Sequence, residues 1–103
     1  METLIHIKRM VLAGRVIFTD KAEVEMFADG LTPELICESI INAPAVSKSL
    51  RSHDPRTGRP ERLYVIKGWT YDGLGIYTKG KIVTREGVEF YYVLVSSKKT
   101  TDA

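Results

Sequence analysis

Cysteine is nearly missing from this 103-residue chain, with Cys37 as the single example, so neither an internal disulfide nor a cysteine-built zinc site can form. Cys37 lies among apolar residues of a predicted helix and reads as a core residue. No histidine is near it in sequence, which disfavours a catalytic thiol. Histidine is scarce too: His6 and His53 have no zinc-ligand spacing. Long apolar runs are absent, since the longest, "FYYVLV" at 90 to 95, is far too short to span a bilayer. The opening "METLIHIKRMVLAG" lacks the cationic start, apolar stretch and small-residue cleavage site of a secretory signal. The expectation is a cytoplasmic protein without a membrane partner. Walker spacing, a dinucleotide fingerprint opening a helix and a G-x-S-x-G elbow are all missing as well, so no metal or cofactor is expected.

What is present is an ordinary globular composition, 44% hydrophobic and 27% charged, enough for one core in one domain. A domain of this size is marginally stable alone, and a homodimer or a protein partner would suit it. The net charge of +2 is unevenly spread. Residues 1 to 47 hold four Lys or Arg against seven Asp or Glu, a net −3. Residues 48 to 67 hold six against two, a net +4, and residues 68 to 103 hold five against four, a net +1. The excess positive charge therefore sits in the middle, the footprint of a polyanion or an acidic partner.

Three amphipathic helices are predicted first. Thr3 is a candidate cap for a helix carrying Leu4, Ile7 and Val11, with Gly14 as its stop. Asp20 is a candidate cap for a second, through Met26 and Phe27 to Gly30. "LTPE" punctuates the third, with Thr32 as cap, Pro33 at the first helical position and Glu34 near the positive end of the helix dipole. After Pro44 the period changes. "AVSKSLRS" reads as a short strand, "HDPRTGRP" as loop, and "RLYVIKG" as a strand. "LGIYTKGKIVT" and "VEFYYVLVSS" read as two long strands joined by the turn "REG", the second being the most apolar and the expected centre of the sheet. The predicted class is α+β, with N-terminal helices packed on one face of a twisted antiparallel sheet. One domain over residues 1 to 97 is expected, and residues 98 to 103 are expected to fray.

Alternation along "LGIYTKGKI" sets Tyr77, Lys79 and Lys81 on one face. Tyrosine and lysine together can stack a base and hold a phosphate. Cleavage of RNA without a metal needs a base for the 2′-hydroxyl proton, an acid for the departing oxygen and cations for the charged transition state, which Lys, Tyr, Arg and His supply. A DNA-binding repressor is disfavoured, because the helices that would enter a groove carry acids rather than Arg and Lys.

Along nearly its whole length the chain resembles the MqsR branch of the RelE-like toxins, bacterial messenger-RNA interferases, and an uncharacterised domain family related to them. "IKRMVLAGRVIFTDKA" is similar to their opening helix, Gly-x-Val connection and second helix; "DGLTPELICESIINA" resembles their third helix and "VSKSL" their Lys-Ser strand. "RLYVIKGWTYDGLGIYTKGKI" resembles a strand, turn and Tyr-x-Lys strand, and "VLVSSKK" the closing strand.

The resemblance implies a RelE-like fold and a metal-independent endoribonuclease that cleaves messenger RNA as the toxin of a type II toxin–antitoxin pair. Its implied catalytic residues are Lys48, Tyr77 and Lys98. Arg56, Arg59, Arg62 and Lys79 would bind RNA, with His53 as an extra candidate base. The implied partners are messenger RNA and a cognate antitoxin with a zinc ribbon and a helix-turn-helix. A glutamine of the family falls on Glu61 or Arg62 here, and a carboxylate in that place repels phosphate unless an arginine compensates. "SSK" also stands where the family has an aromatic before the lysine. The alternative is a catalytically inactive RelE-like domain that binds RNA or a protein through its basic loop.

Overall fold

The computed structural model describes residues 2–100, arranged as three helices on a five-stranded mixed sheet. Helix α1 spans Glu2–Leu12, strand β1 Val16–Phe18, helix α2 Asp20–Ala28 and helix α3 Pro33–Ile41. Strands β2 (Lys48–His53), β3 (Pro60–Trp69), β4 (Gly75–Arg85) and β5 (Val88–Lys99) complete the chain order. Sheet order is β1-β5-β4-β3-β2, antiparallel except for the parallel β1–β5 pair.

The caps explain where the helices begin. Thr32 Oγ1 accepts the Leu35 N–H at 3.2 Å, with Pro33 as first residue, as the sequence predicts. The cap of α2 is Thr19, not Asp20: Thr19 Oγ1 accepts the Ala22 N–H at 3.2 Å, and Asp20 lies in the first turn, where its charge suits the helix dipole. Thr3 lies inside α1 rather than capping it.

One core joins all three helices to one face of the sheet. Ile7, Met26, Ile36 and Ile40 meet Ile66, Ile76, Tyr92 and Leu94, each of them fully or almost fully buried. Gly68 makes the close approach of α3 possible, because a Cβ there would collide with the backbone carbonyl of Ser39. Cys37 packs half-buried against this core, and burial, followed by the charge of Glu34, pushes its thiol up in pKa, away from reactivity.

Three further expectations are corrected. The sheet is mixed because the three-residue β1, unsigned in the sequence, pairs with Tyr92, Val93 and Leu94 of β5. β4 rather than β5 is central. Lys98 and Lys99 do not fray, because they are paired with Tyr77 and Ile76, and the Thr100 N–H donates to the Gly75 carbonyl at 3.1 Å. Residues 101–103 lie outside the described residues.

The order at the end of β5 comes from α2. β1 covers only residues 92–94 of that edge, and two carboxylates of α2 and its C-terminal cap bind the edge beyond them. Glu25 accepts the Ser96 hydroxyl at 2.7 Å and the Ser97 N–H at 3.1 Å, and Asp29 accepts the Lys99 N–H at 2.8 Å. An open strand edge is thereby satisfied without another strand.

Burial raises the Glu25 pKa, but the bonds from Ser96 and Ser97 and the charge of Lys21 outweigh it and hold the carboxyl below its ordinary 4.5. A depressed folded value contributes stability above the unfolded pKa, and that stability is lost as pH falls through the folded one. Urea unfolding midpoints are therefore expected to drop on acidification below 4.5. Glu25→Gln, which cannot titrate, should remove part of that drop; an unchanged pH profile would show that Glu25 is not coupled to folding.

Candidate nucleic-acid interface

The helices cover one sheet face, leaving the other uncovered by them. Cross-strand partners share a face, and successive residues alternate between faces. Register sets Lys67 opposite Tyr77 and Tyr77 opposite Lys98, a row of three across β3, β4 and β5. The next row runs Lys48, Val65, Lys79, Ser96. These belong to the parity opposite to Ile66, Gly68 and Ile76, which meet the helices.

Lys98 Nζ stands 5.5 Å from the Tyr77 ring centroid, a cation–π contact that also puts an ammonium beside the phenol. Val65 is 0% exposed yet lies outside the helix-covered core cluster. Its row neighbours Lys48 and Lys79 carry long aliphatic stems, which cover apolar surface while the charges stay in water.

The face carries Lys48, Lys67, Lys79, Lys81 and Lys98. Among the described residues, the carboxylate nearest these rows in register, Glu61, is paired with Lys81 at 2.9 Å, both side chains about four-fifths buried. Of the two positions, Glu61 and Arg62, on which the glutamine of the resemblance falls, the carboxylate of Glu61 is thus compensated by Lys81 of the neighbouring strand rather than by an arginine. Arg62 instead donates from Nη1 to Ser49 Oγ at 2.8 Å.

The anticipated site residues therefore divide. Tyr77, Lys98 and Lys79 come together. Lys48 shares the face but lies two strands and one row from Tyr77, about 12 Å by strand spacing. Arg62 and His53 have the opposite parity on the β2–β3 hairpin, with Arg62 facing Arg51 and His53 facing Pro60. Arg56 and Arg59 occupy the hairpin tip, where the Asp54 carboxylate accepts the Arg56 N–H at 2.8 Å, a bond that helps hold its pKa below the usual value. The basic segment is thus a hairpin that distributes its charges over two faces and a tip.

Sequence reasoning missed Lys67 and Trp69. Lys67 has the same parity as Val65 in "YVIK", a signal available from alternation alone. Trp69 closes β3 opposite Gly75 on the lysine face, and a Cβ on Gly75 would lie 3.9 Å from Trp69 Cδ1, an ordinary contact, while it would strike Thr100 Cγ2. Along the strand, its row is the one next to Lys67, Tyr77 and Lys98.

No family model, no curated protein and no solved structure matches the chain. No described helix is long and apolar enough to cross a membrane. The functional reading accordingly rests on this face and its chemistry.

Proposed function

We propose that this chain is a metal-independent endoribonuclease that cleaves single-stranded messenger RNA in the cytoplasm, a RelE-like toxin held in check by a cognate antitoxin. The observation that carries the reading is the Lys67–Tyr77–Lys98 row, with the Lys98 ammonium against the Tyr77 ring. Lysines around one phenol offer positive charge to a backbone and to the extra charge of a five-coordinate phosphorus, with proton donors beside it.

In this mechanism the Lys98 ammonium gives a proton to the leaving 5′-oxygen as the 2′-oxygen bonds to phosphorus and the bond to the 5′-oxygen breaks. The 2′-hydroxyl proton passes to the Tyr77 oxygen while the Tyr77 hydroxyl proton passes to Lys98 Nζ, so that phenol and ammonium are both restored. Lys67 and Lys79 neutralise the non-bridging oxygens. The products are a 2′,3′-cyclic phosphate and a 5′-hydroxyl.

The test is incubation of the purified chain with single-stranded RNA, with end-group mapping of the fragments. Cyclic phosphate ends are expected from ordinary RNA, and 2′-O-methylated RNA should bind uncut. Induction in a bacterial host without a partner gene should arrest growth and create discrete new RNA 5′ ends.

A second reading, a catalytically inactive domain that binds RNA or an acidic protein segment, is favoured by the separation of Lys48 from Tyr77 and by the placement of Arg62 and His53 on the opposite parity. RNA bound with a steep salt dependence and never cut would put that reading first.

A further inference from the structure

The one tryptophan of the chain lies beside the proposed phosphate row and is used neither by the core nor by that row. Trp69 is 50% exposed at the end of β3. Its backbone is held on both sides: the Asn42 Nδ2 donates to the Trp69 carbonyl at 2.8 Å, and Thr70 opens a tight turn in which its N–H donates to the Leu74 carbonyl at 3.0 Å. The Thr70 hydroxyl accepts the Leu74 N–H at 3.0 Å, locking the same turn. The indole is therefore mounted on fixed backbone rather than on a free loop.

Gly75 lies directly opposite, and the methyl of Thr100, the next residue across, fills the place where a Cβ on Gly75 would stand, with Trp69 Cδ1 3.9 Å from it. A cleft of about 440 Å³ opens here, lined in part by Lys67, Trp69, Gly75 and Thr100. That is the size of a pocket for a small ligand. Lys67 belongs both to the cleft and to the row with Tyr77 and Lys98. The two rows are separated by two residues along the strand, about 7 Å, a length that one sugar bridges between a base and its phosphate.

We propose that Trp69 is the stacking platform for one unpaired base of the RNA, seated in this cleft while the adjoining phosphate is held by Lys67, Tyr77 and Lys98. The inference rests on the reading of the lysine face as an RNA site and adds to it a base-binding subsite selective for single strands. In a duplex the bases are stacked on each other and present no ring face to the indole; an unpaired base does. Stacking is tolerant of sequence because every base has a π-face, so the subsite confers strand selectivity ahead of base selectivity.

Because Trp69 is the sole tryptophan, its fluorescence reports the subsite directly. Three probes with the same charge per strand separate the two proposals: a 2′-O-methylated single-stranded octanucleotide, the same sequence as a duplex, and an octamer of abasic sugar phosphates. Binding is measured in parallel by a label on each probe. The expected result is quenching of Trp69 by the single strand alone, while the abasic octamer binds without quenching. Trp69→Ala should weaken single-strand binding about 5- to 150-fold and leave abasic binding unchanged, and Trp69→Phe should restore most of the loss. If all three probes bind, Trp69 stays unquenched and Trp69→Ala binds like the parent, the subsite is wrong and the lysine face stands. If no probe binds to protein shown to be folded, both readings fall.

Discussion

Lys98→Ala is expected to slow RNA cleavage about 10²- to 10³-fold, and Tyr77→Phe about 10²- to 10⁴-fold, with thermal unfolding close to that of the parent. The two effects have different physical origins. Lys98→Ala removes an ammonium that is both the proton donor to the leaving oxygen and a cation beside the reacting phosphorus. Tyr77→Phe keeps the ring under the Lys98 ammonium and deletes only the hydroxyl, so its loss isolates the transfer of the 2′-hydroxyl proton. Lys98 is exposed and Tyr77 only part-buried, and Lys98 remains held through the backbone of its neighbours Ser97 and Lys99 whatever side chain it carries. Fold loss is therefore not expected to mimic loss of chemistry. Single-turnover cleavage of a defined RNA, with binding measured separately on 2′-O-methylated RNA, distinguishes a lost step from lost affinity. Lys21→Ala, altering a side chain 65% exposed on α2, away from the lysine face, should cut at the parent rate. Two site variants that both cut like the parent would place the chemistry elsewhere.

Alternation along β4 alone sets Tyr77 and Lys79 on one face, and the cap of α3 is legible in "LTPE", because both are settled by neighbours a few residues away. What could not be read was decided by pairing at long range. β1 has only three residues and no local signature; it exists because Tyr92, Val93 and Leu94 offer an edge. The terminal lysines look like a fraying tail until Asp29 and Glu25, about 70 residues earlier, take up the N–H groups of that edge. Arg62 and His53 read as part of the cluster because they adjoin it in sequence. Register, which one residue of slip would reverse, puts them on the other parity. Trp69 was hidden by its neighbours "TYDG", which mark a turn and say nothing of the lysine row beside which the indole stands.

The largest stability effect is expected from Gly68→Ala, at a position with no part in the chemistry. A Cβ there is directed into the Ser39 carbonyl of α3, with the Ala43 Cβ 3.3 Å away. A flexible side chain could swing aside, but a helix carbonyl cannot. The Ser39 carbonyl moves only with α3, and α3 holds Ile36 and Ile40, both 0% exposed, against Ile66 at 1%. Relief of one contact therefore loosens the central part of the core. Overpacking of this kind costs about 3 kcal/mol or more when backbone must give way, a large share of the roughly 5–15 kcal/mol that holds a small domain together. At about 4–8 °C per kcal/mol for a domain near 100 residues, the melting temperature should fall by about 12–24 °C. Calorimetry or a urea titration checks it, and a variant melting within a few degrees of the parent would mean that α3 does not sit against β3 as described. The same shift would also act at a distance on the site. Gly68 lies between Lys67 and Trp69 in β3, so a displaced strand end disturbs the phosphate row and the stacking ring together. Cleavage by Gly68→Ala should consequently fall even at temperatures where the variant remains folded, whereas Lys98→Ala should lose cleavage with its melting temperature intact.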